Sequence, residues 1–94
     1  MPHLIVEHEV EKALNGVASL RVLKVLLQNR GKYLSKRQIA KRTKVSNPTH
    51  VLDTLVKLGW VEEQAIMGLR LYKANISNPK VKALHELYKK IGYL

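Results

Sequence analysis

Apolar side chains recur at three- and four-residue intervals through most of this chain and alternate with polar ones in one stretch after Gly59. The first pattern predicts amphipathic helices and the second predicts strands. In VASLRVLKVLLQN, Leu20, Leu23 and Leu27 form one stripe while Val22 and Leu26 form another. A helix apolar on more than one side belongs at the centre of a core. Asn15-Gly16 breaks the chain before it and Asn29-Arg30-Gly31 after it. Upstream, Val6, Val10, Ala13 and Leu14 fit a helix face, with Glu7, Glu9 and Glu11 near the start, where the macrodipole favours negative charge. Leu4 to Val6 also fits a short extended segment.

The stretch Ser35 to Trp60, SKRQIAKRTKVSNPTHVLDTLVKLGW, predicts two short helices joined by a tight turn, a helix-turn-helix over residues 35–59. Ser35 as N-cap and Gln38 three residues later form a capping box. Ile39, Ala40 and Thr43 face inward, with Val45 closing the turn from inside. Ser46 restarts the chain toward a second helix, Asn47 to Leu58, with Pro48 in a first turn whose N–H groups have no intrahelical partner. Val51, Leu52, Leu55 and Leu58 make its apolar face, and Gly59 is its C-cap. Residues 60–75 then read as two strands around Met67-Gly68, with Val61 inward and Leu69, Leu71 and Ala74 alternating with Arg70, Tyr72 and Lys73. A last helix over residues 78–92 starts at Asn78 or Ser77 with Pro79 in its first turn. Val81, Leu84, Tyr88 and Ile91 form its stripe, widened by Leu87 and Leu94. Such a helix is too short to stand alone in water, so it packs either on its own domain or on a second copy. A homodimer seam of Val81, Leu84, Leu87, Tyr88 and Ile91 is the favoured expectation, because both ends of the chain offer apolar stripes beyond what a small core needs.

Composition narrows the function classes. A chain of 94 residues is one domain, residues 1–94, with no room for a separate catalytic unit. It lacks cysteine, which excludes disulfides and thiolate metal sites. No apolar run approaches the ~20 residues of a membrane span, and MPHLIVEHEVEK lacks the basic start and apolar centre of a signal peptide. A soluble cytoplasmic, nucleoid-associated protein is expected. Seventeen bases against seven acids give a formal charge of +10, and no acid occurs between Glu11 and Asp53. That interval attracts a polyanion, of which nucleic acid is the commonest in a cytoplasm. A merely solvated basic face is the plain alternative. An acidic membrane surface fits less well, because the basic helices lack large aromatic anchors.

With Ile39-Ala40, Val45-Ser46 and the leucine-spaced helix running into Gly59-Trp60-Val61, the chain resembles winged-helix regulators of the MarR and ArsR type and small basic winged-helix proteins of archaea. The resemblance spans roughly Val17 to Ile76. Two departures are Lys44, where a glycine often stands in the turn, and a shorter run from Val45 to Gly59. The resemblance implies a mainly α fold with a small β-wing: a winged helix-turn-helix with flanking N- and C-terminal helices. It makes Tyr33-Leu34 the short strand before the motif and residues 60–75 the wing. It also implies dimerisation through flanking helices. A wing tip in these families is commonly basic, whereas here Ile66, Met67 and Leu69 surround the turn. Either the chain's own terminus, the favoured reading, or a partner subunit would cover such a tip.

The expected function is sequence-specific binding of double-stranded DNA by a dimeric transcription regulator. Lys32, Lys36, Arg37, Lys41, Arg42 and Lys44 are the candidates for phosphates, which hold register without carrying sequence. Asn47, Thr49, His50, Asp53 and Thr54 are the candidates for base edges, and Arg70 and Lys73 are the charged residues of the wing. A non-specific architectural DNA-binding protein and a protein or RNA interaction module are the alternatives, since fold does not dictate function. His3, His8, His50 and His85 are scattered, and Glu62 and Glu63 are strand neighbours pointing to opposite faces. No enzyme, metal, cofactor or small-molecule ligand is therefore expected.

Overall fold

The computed structural model describes residues 9–94. In chain order these form α1 (Glu9–Ala13), α2 (Val17–Gln28), β1 (Leu34–Ser35), α3 (Lys36–Thr43), α4 (Thr49–Lys57), β2 (Val61–Ile66), β3 (Leu69–Ala74) and α5 (Pro79–Lys90). It is a helix-rich fold with a small antiparallel sheet in the order β1-β3-β2. His3, His8 and the segment Leu4 to Val6 lie outside the described residues, as does the side chain of Val10.

Burial follows the two stripes of α2 in part: Leu20 is half-buried, and Val25, outside both stripes, is buried with the rest. Val22, Leu23, Val25, Leu26 and Leu27 are all buried and form the middle of one core with Leu34, Ile39, Leu52, Leu55, Trp60, Tyr72, Val81 and Leu84. At ~25 cal/mol per Å² such leucines contribute roughly 2 kcal/mol each, far more than the intrinsic propensity of so short a helix. Among the described residues no helix is long and apolar enough to cross a membrane.

The capping box forms as expected. Ser35 Oγ accepts from the Gln38 N–H at 3.2 Å, and Gln38 Oε1 accepts from the Ser35 N–H at 2.9 Å. β1 falls one residue later than expected, on Leu34 and Ser35. The second helix of the pair also starts late, at Thr49 rather than Asn47. Proline disfavours helical geometry in the residue before it, so Asn47 stays outside. Pro48 takes the N-cap position, and the first helical bond runs from Leu52 N–H to Pro48 O at 2.9 Å.

α4 ends in a Schellman motif: Gly59 N–H donates to Val56 O and Trp60 N–H to Leu55 O, with Gly59 at φ 79°. The carbonyl of Gly59 then accepts from Asn75 Nδ2 at 2.7 Å and Asn78 Nδ2 at 3.1 Å, while Trp60 O accepts from Asn75 N–H at 3.0 Å. The Trp60 indole donates to the Glu9 carboxylate at 2.6 Å, and Lys80 pairs with the same carboxylate.

The strand faces differ from the sequence expectation. Tyr72 and Ala74 point inward, Leu71 is half-buried on the other face and Leu69 is exposed. Register explains this. Val61 pairs with Ala74, and Leu34 with Tyr72, so a period of two places Tyr72 rather than Leu71 beside the core.

The C-terminal seam is corrected too. Asn78 caps α5, and Val81, Leu84 and Tyr88 are buried in the chain's own core, leaving Leu87 and Ile91 exposed at 50% and 64%. The last residues do not cover the hairpin tip: Tyr93 stacks edge-on against Tyr88 with centroids 4.8 Å apart, and Leu94 packs on the core.

Tyr88 ties α5 to α2 by donating its hydroxyl to Leu20 O at 3.2 Å. Burial, and secondarily Tyr93, push its phenol from 10.0 up to about 12. The unfolded chain therefore releases this proton more readily, so stability holds below pH 10 and falls as pH rises through about 12. Tyr88→Phe is expected to cost about 1 kcal/mol at neutral pH through the lost hydrogen bond and to flatten the alkaline fall. Urea melts at neutral and alkaline pH check this; an equally steep fall in the variant would assign it to another group.

Candidate nucleic-acid interface

Lys32, Lys36, Arg37, Lys41, Arg42 and Lys44 are all exposed, and three of them sit where local energetics oppose them. Lys36 and Arg37 occupy the first turn of α3, which contains no acid. Cations there oppose the macrodipole by about 0.3–1 kcal/mol each. Lys44 is the α3 C-cap at φ 60°, ψ 26°, a left-handed conformation that suits glycine. The fold would be steadier with an acid in that first turn and a glycine in the turn, so these bases do not serve stability.

The structure divides the phosphate candidates between two sides of α3. Lys36 and Arg37 border a groove of about 630 Å³ with Ser46, Asn47, Pro48 and Leu69. Arg42 and Lys44 instead border a groove of about 850 Å³ between α2 and α5, together with Arg21 and Lys24. Arg42 is held there by Asn29 Oδ1 at 3.1 Å, and Asn29 is fixed in turn by donating to Val25 O at 2.8 Å. Lys24 lies 4.4 Å from the centroid of the Tyr93 ring. No local pattern pointed to Arg21 and Lys24 as neighbours of Arg42, because the link is tertiary.

The base-edge candidates separate as well. Asn47 Oδ1 accepts from the Thr49 N–H at 3.2 Å and from the Thr49 hydroxyl at 2.7 Å. The two side chains thus start α4 and are largely occupied with each other. Thr54 is half-buried, whereas His50 and Asp53 are exposed and continue to exposed Lys57. This stripe, at i, i+3 and i+7, is the outward face of α4. Lys57 is not among the residues expected from the sequence, although its spacing from His50 and Asp53, opposite Leu52 and Leu55, is visible there.

The hairpin bases are neutralised. Arg70 lies 3.5 Å from Glu63, and Lys73 lies 3.8 Å from Glu62 and 4.7 Å from the centroid of the Tyr33 ring. Exposed pairs of this kind add little stability. They nevertheless leave β2 and β3, with two acids and two bases, without net charge. Among the described residues no three His, Asp or Glu side chains gather to hold a metal ion.

Comparison of the chain with protein-family models, curated proteins and solved structures returns no significant match.

Lys36→Glu with Arg37→Glu is expected to raise stability by about 0.5–2 kcal/mol through the α3 dipole and, if these bases hold phosphates, to weaken binding to duplex DNA. Lys44→Gly should likewise stabilise the turn and weaken binding. Thermal melts and titrations of labelled duplex check both signs; binding that tracks stability in the same direction would remove these bases from the interface.

Proposed function

We propose that this chain is a winged-helix protein that binds double-stranded DNA. The single observation carrying this reading is the placement of Lys36, Arg37 and Lys44: exposed bases in an acid-free interval, at positions where the fold's own energetics disfavour them. In this reading β2 and β3 form the wing. The first turn of α3 holds phosphates, and α4 enters the major groove with His50, Asp53 and Lys57 outward. Asp53 accepts from a cytosine amino group or orients His50 or Lys57, and His50 is the principal base-edge contact. Asn47 contributes through its amide donors, since its carbonyl oxygen is engaged by Thr49.

Sequence-specific regulation is the first reading and non-specific architectural binding the second. The second is favoured by one observation, the mutual engagement of Asn47 and Thr49, which thins the set of side chains available to read bases. The homodimer reading moves to the surface that α5 leaves uncovered, formed by Val17, Leu87 and Ile91, exposed at 61%, 50% and 64%. Their apolar side chains border one groove between α2 and α5 together with Arg21, Lys24, Arg42 and Lys44. Mutual repulsion of these bases would oppose a dimer there at low salt.

If about five to eight phosphates are neutralised, log affinity should fall against log salt with a slope of about −5 to −7, at about −0.9 per phosphate. A slope near zero would end the DNA reading. Competition between selected and scrambled duplexes separates the two modes: His50→Ala should narrow the preference by about 1–3 kcal/mol if α4 reads bases, and leave it unchanged in an architectural protein. Leu87→Lys with Ile91→Lys should turn a dimer into a folded monomer in light scattering. A monomeric unmodified protein would discard the dimer.

A further inference from the structure

The tip of the β2–β3 hairpin puts large apolar side chains in water: Ile66, Met67 and Leu69 are exposed at 42%, 101% and 56%. Met67 is the least expected of them. With Gly68 it forms a tight turn in which both residues have positive φ, 54° and 79°, a conformation that favours asparagine or glycine at the first position. Turn chemistry and solvation therefore both oppose a methionine there.

Of the three tip residues, Leu69 borders the candidate interface. Ile66 and Leu69 are register partners and share one face of the hairpin. Two residues along, that face carries Gln64 and Leu71, and Leu71 pairs with Ser35. Ser35 leads directly into Lys36 and Arg37, and Leu69 borders the same groove as those bases and Asn47. A duplex seated on Lys36 and Arg37 thus meets an apolar projection next, on a hairpin whose own charges cancel. A second copy is a poor occupant, because tip-to-tip contact would bring two such basic clusters together on chains of formal charge +10.

We propose that Ile66, Met67 and Leu69 form a wedge that inserts between base pairs from the minor groove and kinks the duplex. This deepens the DNA reading above and rests on it. Apolar wedges act in this way by unstacking one step, bending the duplex by about 20–90°. The flexible pyrimidine–purine steps yield most easily. The partner is therefore duplex DNA with a pyrimidine–purine step beside the phosphates held by Lys36 and Arg37, and sequence preference arises from deformability as well as from base contacts.

The test uses the full chain and a short duplex carrying fluorophores at both ends and 2-aminopurine at a central TA step. The unmodified protein should shorten the end-to-end distance and brighten the 2-aminopurine. Met67→Asn, which suits the turn and so preserves the fold, and Ile66→Ser with Leu69→Ser should bind with an unchanged salt slope but return both signals toward those of free DNA. Binding with no change of either signal in the unmodified protein would overturn the wedge and leave the DNA reading standing. Equal bending by the variants would also overturn it, as would a tip substitution that dissolves an oligomer while bending persists. Absence of any duplex binding by the unmodified protein would end the DNA reading and the wedge with it.

Discussion

The relative placement of α4 and the hairpin depends on the junction at Gly59-Trp60. A left-handed glycine ends the helix, its carbonyl is held by two asparagine amides, and the next residue buries an indole whose N–H reaches Glu9. These bonds join the end of α4, both ends of the hairpin, the start of α5 and α1. A side chain at Gly59 would face left-handed strain with the Asn78 amide nearby, 3.9 Å from the position of a β-carbon. Because the junction lies below the hairpin, an error there would be carried out to the tip as a change of angle. The proposed interface has its α4 and tip components on opposite sides of this joint.

Elements were legible in the sequence where local chemistry and core burial agree. The α2 stripes, the Ser35 and Gln38 capping box, the stop at Gly59 and the Met67-Gly68 turn all follow from residue type and spacing. The face of β3 was not legible, because Leu69 and Leu71 look more apolar than Tyr72 and only pairing with Leu34 decides which side meets the core. The split of α5 into Val81, Leu84 and Tyr88 inside against Leu87 and Ile91 outside had a similar cause: a continuous stripe does not say which helix it meets. The candidate site is visible in the sequence only as the bases present. Its division into two sides of α3 follows from Arg42 reaching Asn29 across the fold, and the neutrality of the hairpin follows from strand register.

Lys36, Arg37, Lys44 and Met67 share a property that composition does not reveal. Each is a residue type that its backbone position disfavours. Lys80 also stands in an acid-free first turn, that of α5, but it pairs with Glu9, whereas Lys36, Arg37 and Lys44 have no carboxylate partner among the described residues. Stability alone would have selected an acid, a glycine and an asparagine at these places. Local disagreement of this kind, left without compensation inside the fold, points to an outside partner more sharply than exposure does.

Strand β2 pairs only with β3 among the described residues, so its outer backbone N–H and C=O groups form an open sheet edge. Such an edge templates fibre growth unless something resists a second strand. Glu62 and Glu63 place acid on both faces of that edge, and an approaching copy would set like carboxylates against each other. The acids that cancel Arg70 and Lys73 thus also guard the protein against polymerising through its sheet. A variant that neutralised them would expose a bare strand ending in Ile66, and would be expected to lose its resistance to edge-to-edge association.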